Sequence, residues 1–280
     1  MTVLEVLQNT TAYFKKREIE SPRLNAEHLL AHSLGLKRID LYMAFERQLL
    51  EAELAPLREL VRRRGQREPL QHLLGTVEFC GKTFLSDKRA LIPRPETEEL
   101  VELLNAECGT RNAELRVLDV GTGSGVIALS LAAAFSDAEV HAVDVSEDAL
   151  GLARENAERL GLASRVQFMR SDLLSKVSDA YDLIVANLPY VPSSERSEVA
   201  REVLYDPANA VFADATGEEV IRKLIAAAPA HLKPGGLLAL EIGIGQAETL
   251  MAFLREQNYH DISARQDYAG VTRFLLSRYG

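Results

Sequence analysis

The sequence predicts an α/β protein: a mostly parallel sheet covered on both faces by helices, preceded by a small helical bundle. Three observations point there. From about residue 115, short apolar strands alternate with helical stretches, the pattern of parallel strands joined by helical crossovers. Before about residue 75, apolar residues recur at helical spacing instead. The length of 280 residues and the hydrophobic fraction of 47% suit one large domain plus a smaller module with a full core.

Taken in order, Val3, Leu4, Leu7, Ala12 and Phe14 give a first helical stripe. The segment from Ser21 to Gly35 carries its own punctuation: Ser21 as N-terminal cap, Pro22 at the first helical position, Gly35 at the C-terminal end. Its expected stripe is Leu24, His28, Leu29, Ala31 and His32. Further helices are expected near Arg38–Phe45 and Glu51–Gly65. Residues 76–92 alternate apolar and polar around Gly81, which predicts a hairpin. Pro93 and Pro95 stiffen the next segment, and Pro95 can open a helix. Strands follow at Arg116–Val120, Glu139–Asp144, Val166–Arg170, Asp182–Ala186, Leu237–Ile242 and Arg273–Arg278. Helices are placed at Val126–Phe135, Glu147–Leu160 and Glu218–His231, the last kinked by Pro229. The expected domains are a helical module over 1–75, a hairpin linker over 76–92 and a catalytic domain over 93–280.

The formal net charge is −9, unevenly spread: residues 1–70 carry +2 and the rest −11. An acidic larger half is a poor non-specific binder of phosphate backbones, so no direct nucleic-acid requirement is expected. Two scattered cysteines, Cys80 and Cys108, make neither a disulfide framework nor a zinc site. His28 and His32 have metal-ligand spacing on a helix but no third ligand nearby, so no metal is expected. Arg58, Arg62, Arg63, Arg64 and Arg67 form a basic cluster, read as cations at a helix C-terminus. The first residues lack the pattern of a signal peptide and no stretch approaches a membrane span. The expectation is a cytoplasmic protein, with no membrane association and a monomeric state.

The sharpest local feature is Gly121-Thr122-Gly123-Ser124-Gly125, placed directly after an apolar strand and before a helix. Glycines let a backbone approach a ligand, and the helix N-terminus offers free N–H groups. A dinucleotide site wants a third small residue where Val126 stands, so a nicotinamide dehydrogenase is disfavoured. S-adenosylmethionine has no pyrophosphate and needs only room for its aminoacyl tail. Asp144, at the end of the next strand, is suited to accept both ribose hydroxyls, with helix capping as its competing role. Asp172 and Leu173, ending the third strand, are candidates for the adenine amino group and ring face.

The fourth strand runs into Asn187-Leu188-Pro189-Tyr190. Ligands in open α/β sheets sit beyond the carboxyl ends of the strands, so this tetrad faces the same crevice. An amide nitrogen is a poor nucleophile, and its two N–H groups need acceptors. The Asn187 side-chain carbonyl can take one and the Leu188 main-chain carbonyl the other. Pro189 biases Leu188 to an extended conformation, and Tyr190 can pack flat on a planar acceptor. A plain Asn-x-Pro turn is the simpler alternative.

With these motifs the chain resembles the HemK/PrmC family, the glutamine methyltransferases of peptide chain release factors. The likeness spans nearly the whole chain. It includes Pro69–Gly75, the string from Leu91 to Glu102, the glycine turn, Asn187–Tyr190, Leu204–Pro207, Lys233–Gly236 and Leu240–Gly243. The resemblance implies a seven-stranded, Rossmann-like class I methyltransferase domain behind a helical substrate-binding domain. It implies S-adenosylmethionine as cofactor and the glutamine of a Gly-Gly-Gln loop as substrate. Cofactor positions fall on Gly121–Gly125, Asp144 and Asn187, and substrate positions on Asn187–Tyr190. The family tetrad is usually Asn-Pro-Pro-Tyr. Leu188 replaces the first proline, a form also found in ribosomal RNA adenine dimethyltransferases. Leu173 stands where some members carry tryptophan. Two other readings remain beside this one: an N-methyltransferase of adenine or of another protein, and a non-catalytic cofactor-binding module.

Overall fold

A computed structural model of the chain describes residues 1–109 and 115–280. They form two compact units, one of residues 1–76 and 200–205, the other of 77–199 and 206–280.

The first unit holds α1 (Val3–Lys16), α2 (Pro22–Leu34), the single turn α3 (Asp40–Met43), α4 (Glu51–Gly65) and α5 (Leu70–Leu74). A capping box starts α1: Thr2 Oγ1 accepts from the Glu5 N–H while the Glu5 carboxylate accepts from the Thr2 N–H. The helix buries Val3, Val6, Leu7, Thr10 and Phe14; Ala12 of the expected stripe is exposed. In α2 the expected stripe is displaced as well. Asn25, Ala26, Glu27, Leu29, Leu30 and Ala31 are buried, whereas Leu24 and His32 face solvent. Two polar residues on the inner face, Asn25 and Glu27, disguise it. Ser21 makes no side-chain cap, its backbone being left-handed at φ 46°. Instead Asn25 Nδ2 donates to the Glu20 and Ser21 carbonyls.

The arginine cluster is consumed inside the unit. Arg58 pairs with Glu51, Arg62 with Glu59, Arg63 with Glu68, and Arg67 with Glu202. Arg64 is buried; it donates to Asn25 Oδ1 at 2.7 Å, to the Glu68 carbonyl at 3.2 Å and to Glu202 at 3.1 Å. A buried guanidinium is tolerated only when its donors are filled, and burial holds its pKa below the usual arginine range.

The second unit opens with a hairpin, β1 (Thr76–Phe79) and β2 (Lys82–Leu85). Cys80 and Gly81 both have positive φ, as a two-residue type I′ turn requires. The strands stop at Leu85, short of the expected residue 92. After α6 (Pro95–Cys108) come β3 (Arg116–Val120), α7 (Val126–Ala134), β4 (Glu139–Asp144), α8 (Glu147–Arg159), β5 (Val166–Arg170) and β6 (Tyr181–Asn187). Then follow the turn α9 (Ala208–Val211), α10 (Glu219–Ala227), β7 (Leu232–Glu241), α11 (Ala247–Glu256), β8 (Tyr259–Gln266) and β9 (Thr272–Tyr279). Helix α10 gives way to a 3₁₀ turn at Ala228–His231, where Pro229 removes a backbone donor.

The seven strands lie in the order β5-β4-β3-β6-β7-β9-β8. All neighbours are parallel except the β7–β9 and β9–β8 pairs. Strand residues alternate between two cores. Val117, Val140, Leu183, Val185 and Ala239 meet α6, α7 and the hairpin phenylalanines Phe79 and Phe84. Leu118, Val120, Ile184, Ala186 and Leu238 meet α10 and α11. The helices on both faces explain why the central strands read as continuous apolar runs. β8 is half exposed at the sheet edge and polar, and α11 precedes it; neither was expected from the sequence.

Arg64→Met is expected to lower the stability of the first unit by about 2 kcal/mol, because Asn25 and Glu202 lose a buried partner. Urea denaturation followed by circular dichroism measures this. Arg62→Met, which removes an exposed i,i+3 pair and an exposed hydrogen bond to Gln66, should leave the midpoint nearly unchanged.

Candidate active site

A cavity of about 310 Å³ opens in the second unit at the carboxyl ends of β3, β4 and β6, where the strand order reverses and ligands of doubly wound sheets bind. Its floor is the turn after β3. The Gly121 and Thr122 N–H groups both donate to the Val143 carbonyl, at 2.8 and 3.0 Å, and so tie the turn to β4. Gly121 has φ 75°, and a Cβ there would lie 2.7 Å from Leu188 Cδ2. Only glycine satisfies both constraints. At Gly123 an added Cβ would meet only Ala90, at 3.9 Å; there the backbone faces the open cavity.

Beneath the turn sits Asp119, fully buried. Its Oδ2 accepts from Thr122 Oγ1 at 2.6 Å and from the Ala128 N–H at 3.1 Å, joining the turn to the first residues of α7. Oδ1 has no partner among the described residues. Burial pushes this carboxyl up to about 7, against the pull of its two donors and with a small push from Asp144. Asn156 is a second buried brace: its amide binds the Leu85 N–H and carbonyl and the Ser124 carbonyl. It holds the hairpin to the turn.

Asp144 ends β4 at the cavity wall. Its Oδ2 accepts from the Gly123 N–H at 2.9 Å and its Oδ1 from the Ser146 N–H at 2.8 Å. Ser146, not Asp144, caps α8, accepting from the Ala149 N–H. The capping alternative for Asp144 is thus taken by its neighbour. Asp172 is exposed at the rim, and Leu173 lines the cavity with φ 46°.

Asn187 ends β6, level with Glu241 of β7. Asn187, Leu188 and Pro189 line the cavity. The Leu188 side chain is buried under the glycine turn. Asn187 Nδ2 donates to Thr97 Oγ1 at 3.1 Å, and Thr97 Oγ1 donates to Glu241 Oε2 at 2.8 Å. Burial pushes Glu241 up to about 7, aided by Glu96 and opposed by Thr97, Arg273 and Asn187.

The structure gathers most of the expected site residues: Gly121, Thr122, Gly123, Ser124, Asp144, Asp172, Leu173 and Asn187–Pro189 line one cavity. Two expected residues stand apart. Gly125 starts α7 with φ 84° and turns toward Ala153, whose Cβ is 3.1 Å from an added Cβ; its smallness serves the approach of α8. Tyr190 packs beside Gly243 and Gln246, where burial pushes its hydroxyl up to about 12. Sequence reasoning missed Arg89–Leu91, Arg94 and Thr97, which line the same cavity. Arg94 pairs at 3.0 Å with Asp206, a carboxyl that burial pushes up to about 6 despite that cation. The two prolines around Arg94 signalled a rigid segment and not its destination.

The donor set fits an adenosyl sulfonium cofactor. There is a glycine turn that a Cβ would block, a carboxylate at the end of β4, and an apolar side chain, Leu173, beyond the end of β5. Among solved structures, a methyltransferase from Pyrococcus furiosus superposes with a TM-score of 0.53 at 22% identity, covering 70% of this chain and 88% of that one. The T. thermophilus 16S rRNA N2 G1207 methyltransferase, in complex with AdoMet and guanosine, gives 0.54 at 20%, covering 73% and 50%. At these identities the likeness is one of fold. The methyltransferase small domain family matches residues 95–217, and the catalytic unit is a class I, S-adenosylmethionine-dependent methyltransferase.

The PrmC N-terminal domain family matches residues 5–75. The release factor glutamine methyltransferase of Geobacter sulfurreducens is 41% identical over 281 residues, covering 100% of this chain and 97% of that protein. That of Deinococcus radiodurans is 42% identical over 278 residues, covering 99% of each. The chain belongs to the release factor glutamine methyltransferase family.

Two outcomes are expected. Gly121→Ala should weaken S-adenosylmethionine binding by about tenfold or more in titration calorimetry, and adding Leu188→Ala should recover part of the loss, the backbone strain remaining. For Asp119 the raised folded pKa means that its contribution to stability is full below the ordinary carboxylate range and is lost as pH rises through about 7. The urea midpoint of the cofactor-free protein should therefore fall more steeply between about pH 4 and about pH 7 than that of Asp119→Asn.

Proposed function

We propose that the chain methylates the side-chain amide nitrogen of a release-factor glutamine, with the Asn187 side-chain carbonyl and the Leu188 main-chain carbonyl as acceptors of its two N–H groups. The observation that carries this reading is that Asn187–Pro189 and the glycine turn line one cavity, with Leu188 packed against Gly121. When bound, the cofactor supplies the sulfonium methyl group. Asp144 would accept hydrogen bonds from the ribose hydroxyls, Asp172 would meet the adenine amino group, and Leu173 would cover a ring face. The turn from Gly121 to Ser124 borders the aminoacyl tail. Asn187 and Leu188 hold the planar nitrogen in line and keep electron density on it. Catalysis rests on positioning and exclusion of water, without a strong base. Tyr190 does not line the cavity and packs beside Gly243 and Gln246.

Residues 1–75 serve as the substrate-binding module, 76–92 as linker and 93–280 as the catalytic domain. The enzyme acts as a cytoplasmic monomer with no nucleic-acid requirement.

The test incubates the protein with purified release factor and S-adenosylmethionine and seeks one added methyl on the glutamine by mass spectrometry. Asn187→Ala is expected to abolish transfer while cofactor affinity stays within roughly tenfold, about 1.4 kcal/mol. Equal losses of binding and activity would make Asn187 a cofactor ligand only. Transfer to adenine-bearing RNA, with none to a release factor, would overturn the substrate assignment.

A further inference from the structure

We infer that Thr97 and Glu241 are positioning residues that fix which end of the Asn187 amide faces the cavity, and so select substrates that bring N–H donors. The inference rests on the reading of Asn187 as acceptor given above. Thr97 stands in the first turn of α6 and Glu241 at the end of β7, opposite Asn187. Both are almost fully buried.

The chain of hydrogen bonds has a direction set by chemistry. An ionised carboxylate only accepts, and a hydroxyl has a single proton. Thr97 Oγ1 donates that proton to Glu241 at 2.8 Å, so toward Asn187 it offers lone pairs alone. The amide end at Thr97 must then be the NH₂, which donates at 3.1 Å, and the Asn187 side chain also stabilises the charge on Glu241. Oδ1 is left as the free end, and no described residue donates to it. An amide or amine nitrogen presented by a substrate finds an acceptor there. A carboxylate or ester of the same shape finds lone pairs facing lone pairs and is rejected. The site thereby discriminates glutamine from glutamate through residues that touch neither.

Protonation of Glu241 would reverse the relay, letting Thr97 donate to the amide and turning the NH₂ outward. Burial has brought this event near neutral pH, with Glu96 raising the group and Thr97, Arg273 and Asn187 lowering it; Tyr190 feels the same charge.

The experiment compares wild type with Thr97→Val, Thr97→Ser, Glu241→Gln and Asn187→Ala. It measures kcat, KM for the release factor, and cofactor affinity by calorimetry. NMR of the cofactor-free protein follows hydrogen exchange of the Asn187 side-chain NH₂. Valine keeps the shape and removes both hydrogen bonds. It should lower kcat by about tenfold or more with KM and cofactor affinity changed less than about threefold, and speed exchange of the Asn187 NH₂. Thr97→Ser should restore kcat to within about threefold of wild type, because the hydroxyl returns. Wild-type kcat should fall on the acid side of neutral, and Glu241→Gln should lack that limb. Thr97→Val with kcat within about twofold of wild type, or no rescue by serine, overturns the inference. Should the valine variant fail to fold, an acid limb unchanged in Glu241→Gln overturns it instead. If Asn187→Ala is inactive while Thr97→Val is not, only the positioning role fails. If Asn187→Ala is fully active, the acceptor reading itself fails.

Discussion

The site depends on one constraint, the parallel pairing of β3 with β6 in a register that sets Val120 beside Ala186. Adjacent strands are about 4.8 Å apart, so the residues that follow each strand emerge side by side. Gly121 comes from one and Asn187 from the other. No loop needs to travel to bring the glycine turn and the tetrad together. The sheet's hydrogen bonds do it, backed by two apolar cores that leave the register no freedom to slip.

Two buried carboxylates work behind that pairing. Asp119 and Glu241 lie on the same side of the sheet, at odd positions that also carry Val117, Leu237 and Ala239 inward. An apolar residue at either place would strengthen the core. Instead each acid holds polar groups at a strand's end: Thr122 and Ala128 in one case, Thr97 and through it Asn187 in the other. Burial disfavours both charges and raises both pKa values. The protein gives up core stability in return for a cavity wall whose polar atoms cannot wander, a common exchange at functional sites.

The strands Arg116–Val120 and Glu139–Asp144 were legible in the sequence to the residue, because apolar runs are local signals, and the helix near Glu51–Gly65 was legible as an element. The glycine turn, Asp144 and Asn187 were legible for the same reason. The inner face of α2 was not, since Asn25 and Glu27 are buried through partners far along the chain. β8 was hidden because an edge strand with one wet face carries no apolar run. Thr97, Asn156 and Asp206 were hidden because their meaning lies in contacts 144, 71 and 112 residues away. No local pattern encodes such distances. Ser21 failed as a cap because the left-handed backbone there turns its side chain from the helix.

Leu188 brings a different kind of stiffness to the tetrad. A proline would hold the backbone from within, through its own ring, and would do so whatever lay nearby. The leucine holds it from outside, its methyl wedged into the space that Gly121 leaves vacant. The two strand ends are therefore mechanically linked. Any displacement of the turn after β3 presses on the residue that follows β6, and a side chain, not a backbone ring, carries the force from one strand end to the other.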